Sequence, residues 1–130
     1  MKKKVLLIDD DDVFRYIVKR VIDLKTPHIE LIPANSCRAA IELLNNLQRG
    51  KESFIPDIIL LDLDMPVMNG FEFLDTYEVK LRLLNPKIKI YIVSTTLNTE
   101  EKKRALSYKT VADFLSKPIE PELLETIFNQ

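Results

Sequence analysis

The chain has 130 residues, enough for one domain with a real core and too few for two ordinary ones. Apolar residues make up 46% and charged residues 30%, the balance of a globular rather than a disordered chain. Nineteen basic against 20 acidic side chains leave a net charge of −1, without the basic footprint of a nucleic-acid binder, and the aliphatic runs of four or five residues are too short to span a membrane.

The opening "MKKKVLLIDDDD" starts like a signal peptide, but its apolar stretch ends after four residues in aspartates, so a cytoplasmic protein is expected. "VLLI" (5–8) is a short β-prone run without interruption, as in a strand buried on both faces. Phe14, Ile17, Val18, Val21 and Ile22 then fall on one face of a helix, which must end before Pro27. His28 has no second histidine with which to build a metal site and reads as a solvated residue leading into "IELI" (29–32). The charge in the middle of that strand suits a sheet edge. Asn35-Ser36 is an N-cap signal for a helix carrying Ala40, Leu43, Leu44 and Leu47. Cys37, the single cysteine, allows no internal disulfide and reads as a small half-buried residue. "QRGKESFIP" (48–56) is expected to be a loop.

"DIILL" (57–61) is a second central strand, and Asn69 caps a helix bearing Phe71, Leu74, Tyr77, Leu81 and Leu84, closed by Pro86. "IKIYIV" (88–93) is the fourth strand. Asn98-Thr99 opens a weak helix over 99–107 whose only apolar residues are Ala105 and Leu106. "ADFL" (112–115) is the fifth strand. Pro121 suits a first helical position, ahead of Leu123, Leu124, Ile127 and Phe128. Five strands alternating with five helices predict one α/β domain over 1–130 with a doubly wound, flavodoxin-like parallel sheet in the order 2-1-3-4-5.

That order makes the first and third strands neighbours at the switch point, where ligands bind. Asp9 and Asp10 end the first strand, and Asp62 and Asp64 end the third. Three carboxylates converging at one sheet edge favour a hard divalent cation, and Mg²⁺ fits because it takes oxygen ligands and keeps waters and phosphate. Ser94 ends the fourth strand in "IVSTT", and Lys117 ends the fifth in "FLSKP". A hydroxyl and a fixed cation beside a metal–carboxylate site are the parts phosphoryl transfer needs, with a carboxylate as nucleophile.

With "LLIDDDD", "DIILLDLDMPVMNG", "IVST" and "FLSKP" in this order at these strand ends, the chain resembles the receiver domain of two-component response regulators along essentially its whole length. The resemblance implies Asp62 as phosphoacceptor, Asp10 as a direct Mg²⁺ ligand, Asp9 as a ligand acting chiefly through water, and Asp64 as the donor of a backbone carbonyl. It implies Ser94 and Lys117 as the groups that meet the phosphoryl oxygens, Phe114 as a switch aromatic, a cis bond between Lys117 and Pro118, and Asp64 and Thr96 as tuners of hydrolysis. Its partners would be a sensor histidine kinase or histidine phosphotransfer protein and a downstream protein target. The target would meet a surface of the fourth helix, fifth strand and fifth helix, and a phosphorylation-dependent dimer is a further expected partner state. No nucleic-acid or membrane partner is expected. A stand-alone receiver, with no catalysis beyond its own phosphorylation and slow dephosphorylation, is the expected form.

Other readings compete at single positions. Asp11 and Asp12 suit helix capping or the first turn, where the helix dipole favours acids. "MPVMNG" suits a simple turn, and Phe114 suits core packing. "LLIDDDDVF" also satisfies the nucleophile motif of haloacid-dehalogenase-type phosphohydrolases through Asp9, Asp11 and Val13, although the later acids of that family are absent and only 13 residues follow Lys117. A receiver-like module that binds partners without phosphate is the remaining alternative, and it leaves the cost of the clustered carboxylates unexplained.

Overall fold

The computed structural model describes residues 3–48 and 55–130, so most of the loop expected over 48–56 lies outside the described residues. The elements alternate as β1 (Lys3–Ile8), α1 (Asp12–Lys25), β2 (Ile29–Ala34), α2 (Cys37–Gln48), β3 (Ile58–Asp62), α3 (Gly70–Leu84), β4 (Lys89–Ser94), α4 (Thr99–Leu106), β5 (Val111–Ser116) and α5 (Pro121–Phe128). The strands pair in parallel in the order β2-β1-β3-β4-β5, the flavodoxin-like arrangement expected. β2 is an edge. It runs through Pro33, which a central strand could not accommodate because proline has no N–H for the ladder. None of the described helices is long and apolar enough to cross a membrane.

Each strand feeds both faces of the sheet, because successive side chains alternate. Leu6, Ile8, Ile59, Leu61, Ile90 and Ile92 face one core, with Leu44, Phe73, Leu74 and Leu81 from α2 and α3. Val5, Leu7, Ile58, Leu60 and Val93 face the other, with Val18, Ile22, Leu124 and Phe128 from α1 and α5. β5 breaks strict alternation: Ile90 pairs with Val111 but Tyr91 with Asp113, so Ala112 is an extra residue. This bulge lets Val111 and Phe114, three residues apart, enter the same core.

The helix starts follow local chemistry. Asp11 caps α1 by accepting from the Val13 and Phe14 amides, and Ser36 Oγ accepts from Ala39 N at the head of α2. Asn69 and Glu72 form a capping box on α3, Asn98 caps α4, and Pro121 opens α5. α4 is the least embedded helix: Ala105 is its single buried residue, and Leu106 is exposed.

The register carries the site. Ile8 lies beside Leu61, which sets Asp9 beside Asp62, and Ser94 lies beside Ser116, one residue before Lys117. Gly70 closes the β3–α3 loop onto β3, its N–H donating to Leu63 O at 3.1 Å. A Cβ there would lie 2.8 Å from Asp62 O and 3.0 Å from Leu63 Cα, both backbone atoms that cannot turn aside. Gly70→Ala is therefore expected to destabilise the fold by about 2 kcal/mol, read as a lower urea midpoint at unchanged slope. An unshifted midpoint would mean that this approach is not required.

Candidate functional site

Asp9, Asp10 and Asp62 each place a carboxylate oxygen within 4.8 Å of the others at the carboxyl edge of the sheet. Asp9 is fully buried, Asp62 is 6% exposed and Asp10 faces solvent. Asp9 Oδ1 accepts from Asp11 N at 2.9 Å, and its Oδ2 accepts from Lys117 Nζ at 2.8 Å. Lys117 reaches this point because β5 ends beside β4, where Lys117 N donates to Ser94 O at 2.8 Å; the Lys117–Pro118 bond is cis, as the resemblance implies. Its ammonium also lies 3.5 Å from Asp11 Oδ2. Burial alone would lower the Lys117 pKa, but the hydrogen bond to Asp9 and the charges of Asp9, Asp62 and Asp11 outweigh it, and the pKa is raised.

Asp62 behaves differently. Burial is the largest influence, a hydrogen bond from Asp64 N at 3.1 Å opposes it and the Asp9 charge reinforces it, so the Asp62 pKa is pushed from 3.8 up to about 6. Three carboxylates against one ammonium leave two surplus negative charges, which a divalent cation would balance. An all-oxygen donor set with one solvent-facing member fits Mg²⁺, which keeps part of its water shell.

The remaining expected residues form a line leading away from Asp62. Ser94 is fully buried, and its hydroxyl donates to Asp64 Oδ2 at 3.1 Å while accepting from Thr96 N at 3.1 Å. Thr96 Oγ1 donates to Glu101 Oε2 at 3.1 Å, in the first turn of α4. Phe114 points inward, 7% exposed, with Lys102 of α4 lying 5.8 Å from its ring centroid. In this conformation it is a core residue packed with Ala105 and Val111.

Other candidates resolve simply. Cys37 is buried, and burial first, then the Asp62 and Glu72 charges, push its thiol up to about 12, so it is not an activated nucleophile. His28 is exposed. Asp11 is occupied as the cap of α1, and Asp12 pairs with Arg15. The "MPVMNG" turn holds a strained residue: Val67 has φ 71°, with Met68 N donating to Pro66 O at 3.0 Å around it.

Sequence reasoning missed Glu101, Arg104 and Phe14. Arg104 stacks 4.1 Å from the Phe71 ring centroid and pairs with Asp75 at 3.2 Å, and Tyr108 donates to the same carboxylate, tying α4 to α3. Phe14 lies beneath the Lys117 ammonium, 4.7 Å from its ring centroid. No spacing in the sequence marks these contacts, because they depend on where helices pack.

The family model described as response regulator receiver domain matches residues 5–129. The chain is 36% identical over 116 residues to a protein-glutamate methylesterase/protein-glutamine glutaminase of Burkholderia thailandensis, covering 88% of this chain and 29% of that protein. It is 39% identical over 128 residues to the nitrate/nitrite response regulator protein NarL of Escherichia coli, covering 97% of this chain and 53% of NarL. The chain thus spans about half or less of the length of these relatives. Its structure resembles a two component response regulator from Cytophaga hutchinsonii with TM-score 0.83 at 29% identity, covering 99% of this chain and 96% of that one. It also resembles the chemotaxis response regulator CheY4 of Vibrio cholerae with TM-score 0.77 at 26% identity, covering 99% and 98%.

The raised Asp62 pKa has a consequence for stability. The folded state holds this proton up to about pH 6 and the unfolded state only to 3.8, so the contribution of Asp62 to stability falls as pH rises between those values. The cost at neutral pH is on the order of 3 kcal/mol. In metal-free protein, Asp62→Asn is expected to raise the melting temperature at about pH 7.5, by a margin that shrinks as pH falls through about 6 toward 4. Mg²⁺ is expected to close most of that margin by stabilising the parent. A margin independent of pH would show that Asp62 does not carry the extra charge.

Proposed function

Since the chain belongs to the response regulator receiver domain family, we propose that Asp62 accepts a phosphoryl group from a phosphohistidine of a sensor histidine kinase or histidine phosphotransfer protein. The observation that carries this reading is the company Asp62 keeps: two further carboxylates, one paired ammonium and one buried hydroxyl, all at the same sheet edge. Asp9, Asp10 and Asp62 are the side chains that would hold Mg²⁺, joined, on the family resemblance, by the backbone carbonyl of Asp64. Bound there, the ion would neutralise the carboxylates and the equatorial oxygens of the transferring group.

The chain's own part is positioning. Asp62 Oδ1 accepts from Asp64 N, which fixes the carboxylate plane and leaves the second oxygen as nucleophile. That oxygen forms the bond to phosphorus as the bond to the donor imidazole breaks, and the imidazole leaves with the nitrogen's electron pair. The acyl phosphate adds charge and acceptor oxygens beside Lys117 and Ser94. Ser94 is held by Asp64 and joined through Thr96 to Glu101, so a hydroxyl that turns to the phosphoryl group gives up one contact on the path to α4. α4 has few buried contacts to resist displacement, and the α4–β5–α5 face is the surface the change would present. Asp64 and Thr96 would tune the rate of hydrolysis.

Incubation with phosphoramidate or acetyl phosphate in excess Mg²⁺ tests the acceptor. The parent is expected to gain one phosphoryl group by intact mass, and Asp62→Asn none; equal labelling of the two would place the acceptor elsewhere. Lys117→Ala is expected to be labelled while the amide shifts over 99–107 stay close to their unlabelled positions. Shifts as large as the parent's would remove Lys117 from the path to α4.

A further inference from the structure

Lys117 is not placed against the proposed acceptor. Its ammonium donates to Asp9 Oδ2 at 2.8 Å, lies 3.5 Å from Asp11 Oδ2 and stands 4.7 Å from the Phe14 ring centroid. None of the ion pairs among the described residues joins it to Asp62. Asp11 is the N-cap of α1 and Phe14 lies in its first turn, so the nitrogen is drawn to the α1 side of Asp9. Lys117, Asp11, Phe14 and Ile119 also wall a pocket of about 210 Å³, which leaves the long stem room to swing.

We propose that Phe14 and Asp11 are positioning residues for Lys117. They hold its ammonium on the α1 side of Asp9 and oppose its transfer to a phosphoryl group on Asp62. The second half of this statement rests on the reading of Asp62 as acceptor; the first half does not. Asp9 can be shared with a cation, and once it is, the contacts left on the α1 side are Asp11 and the ring. Asp11 is 42% exposed in its side chain, so solvent screens its attraction. Phe14 is 4% exposed, and a cation on a desolvated ring face is held more firmly. Phe14 therefore contributes more than Asp11. Its place in the core beside Val18 asks only for an apolar side chain, whereas the contact with Lys117 asks for an aromatic one.

Two measurements test the proposal on the whole chain. In metal-free protein, the Lys117 εCH₂ protons are expected upfield of those of other lysines, because the ammonium they adjoin lies over a ring. The shift is expected to vanish in Phe14→Leu and to persist in Phe14→Tyr, whose hydroxyl can enter the pocket. In saturating Mg²⁺, Phe14→Leu is expected to bind beryllium fluoride about two- to thirtyfold more tightly than the parent, the range set by a single cation–π contact. Asp11→Asn, which keeps the cap, is expected to move affinity the same way by a smaller factor. Phe14→Tyr is expected to restore the parent affinity, and Phe14→Leu to have no effect when Lys117 is Met. Unshifted Lys117 protons, or a Phe14→Leu effect that survives in Lys117→Met, would overturn the proposal by making Phe14 a packing residue alone. A parent that binds no beryllium fluoride would overturn the acceptor reading instead, and the proton shifts would then decide whether the cradle exists.

Discussion

A carboxylate that is fully buried obliges the fold to bring it a cation, and Asp9 is such a carboxylate. The cation comes from Lys117, 108 residues away in sequence and at the far side of β3 and β4 in the sheet. This contact can form only if the four adjacent strands β1, β3, β4 and β5 end level with one another. The ladder arranges that: Ile8 beside Leu61, Asp62 beside Val93, and Ser94 beside Ser116. One ammonium cannot balance three acids, so the same requirement that draws in Lys117 also leaves a deficit that suits a divalent ion.

The deficit is connected to the rest of the molecule by short polar contacts. Asp62 takes a hydrogen bond from Asp64 N, Asp64 holds the Ser94 hydroxyl, Ser94 holds Thr96, and Thr96 reaches Glu101 in α4. At its other end α4 is tied to α3 through Arg104, Asp75 and Phe71. Polar contacts fix α4 at both ends while Ala105 supplies its only buried side chain. A helix held this way is set by charge and hydrogen bonding more than by packing, so a change in charge at Asp62 meets little apolar resistance. Phe114 lies under α4 with Lys102 over its ring, and its position therefore depends on where that helix sits.

Much of this was legible in the sequence for physical reasons. Uninterrupted aliphatic runs such as "VLLI" and "IILL" have to be buried on both faces, which makes β1 and β3 central and brings their terminal acids together. Asn69 with Glu72, and Asn98, state their helix starts locally. Contacts decided by packing were not legible. The extra residue at Ala112 looks like part of an ordinary strand, yet it determines that Phe114 faces α4. Arg104 and Asp75 lie on separate helices, and nothing in either helix's period announces their pairing. The sequence places Ser94 at its strand end, but the partner that holds it, Asp64, depends on a rotamer in the β3–α3 loop. The positive φ of Val67 was invisible because valine is among the residues least suited to it.

The four consecutive aspartates after β1 look like a concentration of repulsion, and the structure shows why the chain tolerates them. They do not share an environment. Asp9 turns inward to Lys117, and Asp10 turns outward beside the other acids at the sheet edge. Asp11 accepts two amides at the start of α1, where the helix dipole favours negative charge, and those bonds with the nearby Lys117 lower its pKa against the effect of burial. Asp12 pairs with Arg15 one turn on. A strand passing into a helix turns each successive side chain in a new direction, so adjacent charges separate in space within four residues. Among the described residues no lysine or arginine forms an ion pair with Asp10, which lies where the carboxylates of two strands converge. The uncompensated charge of the whole run is thereby gathered at one point on the surface, next to Asp62, whose pKa is already raised by burial and by the Asp9 charge.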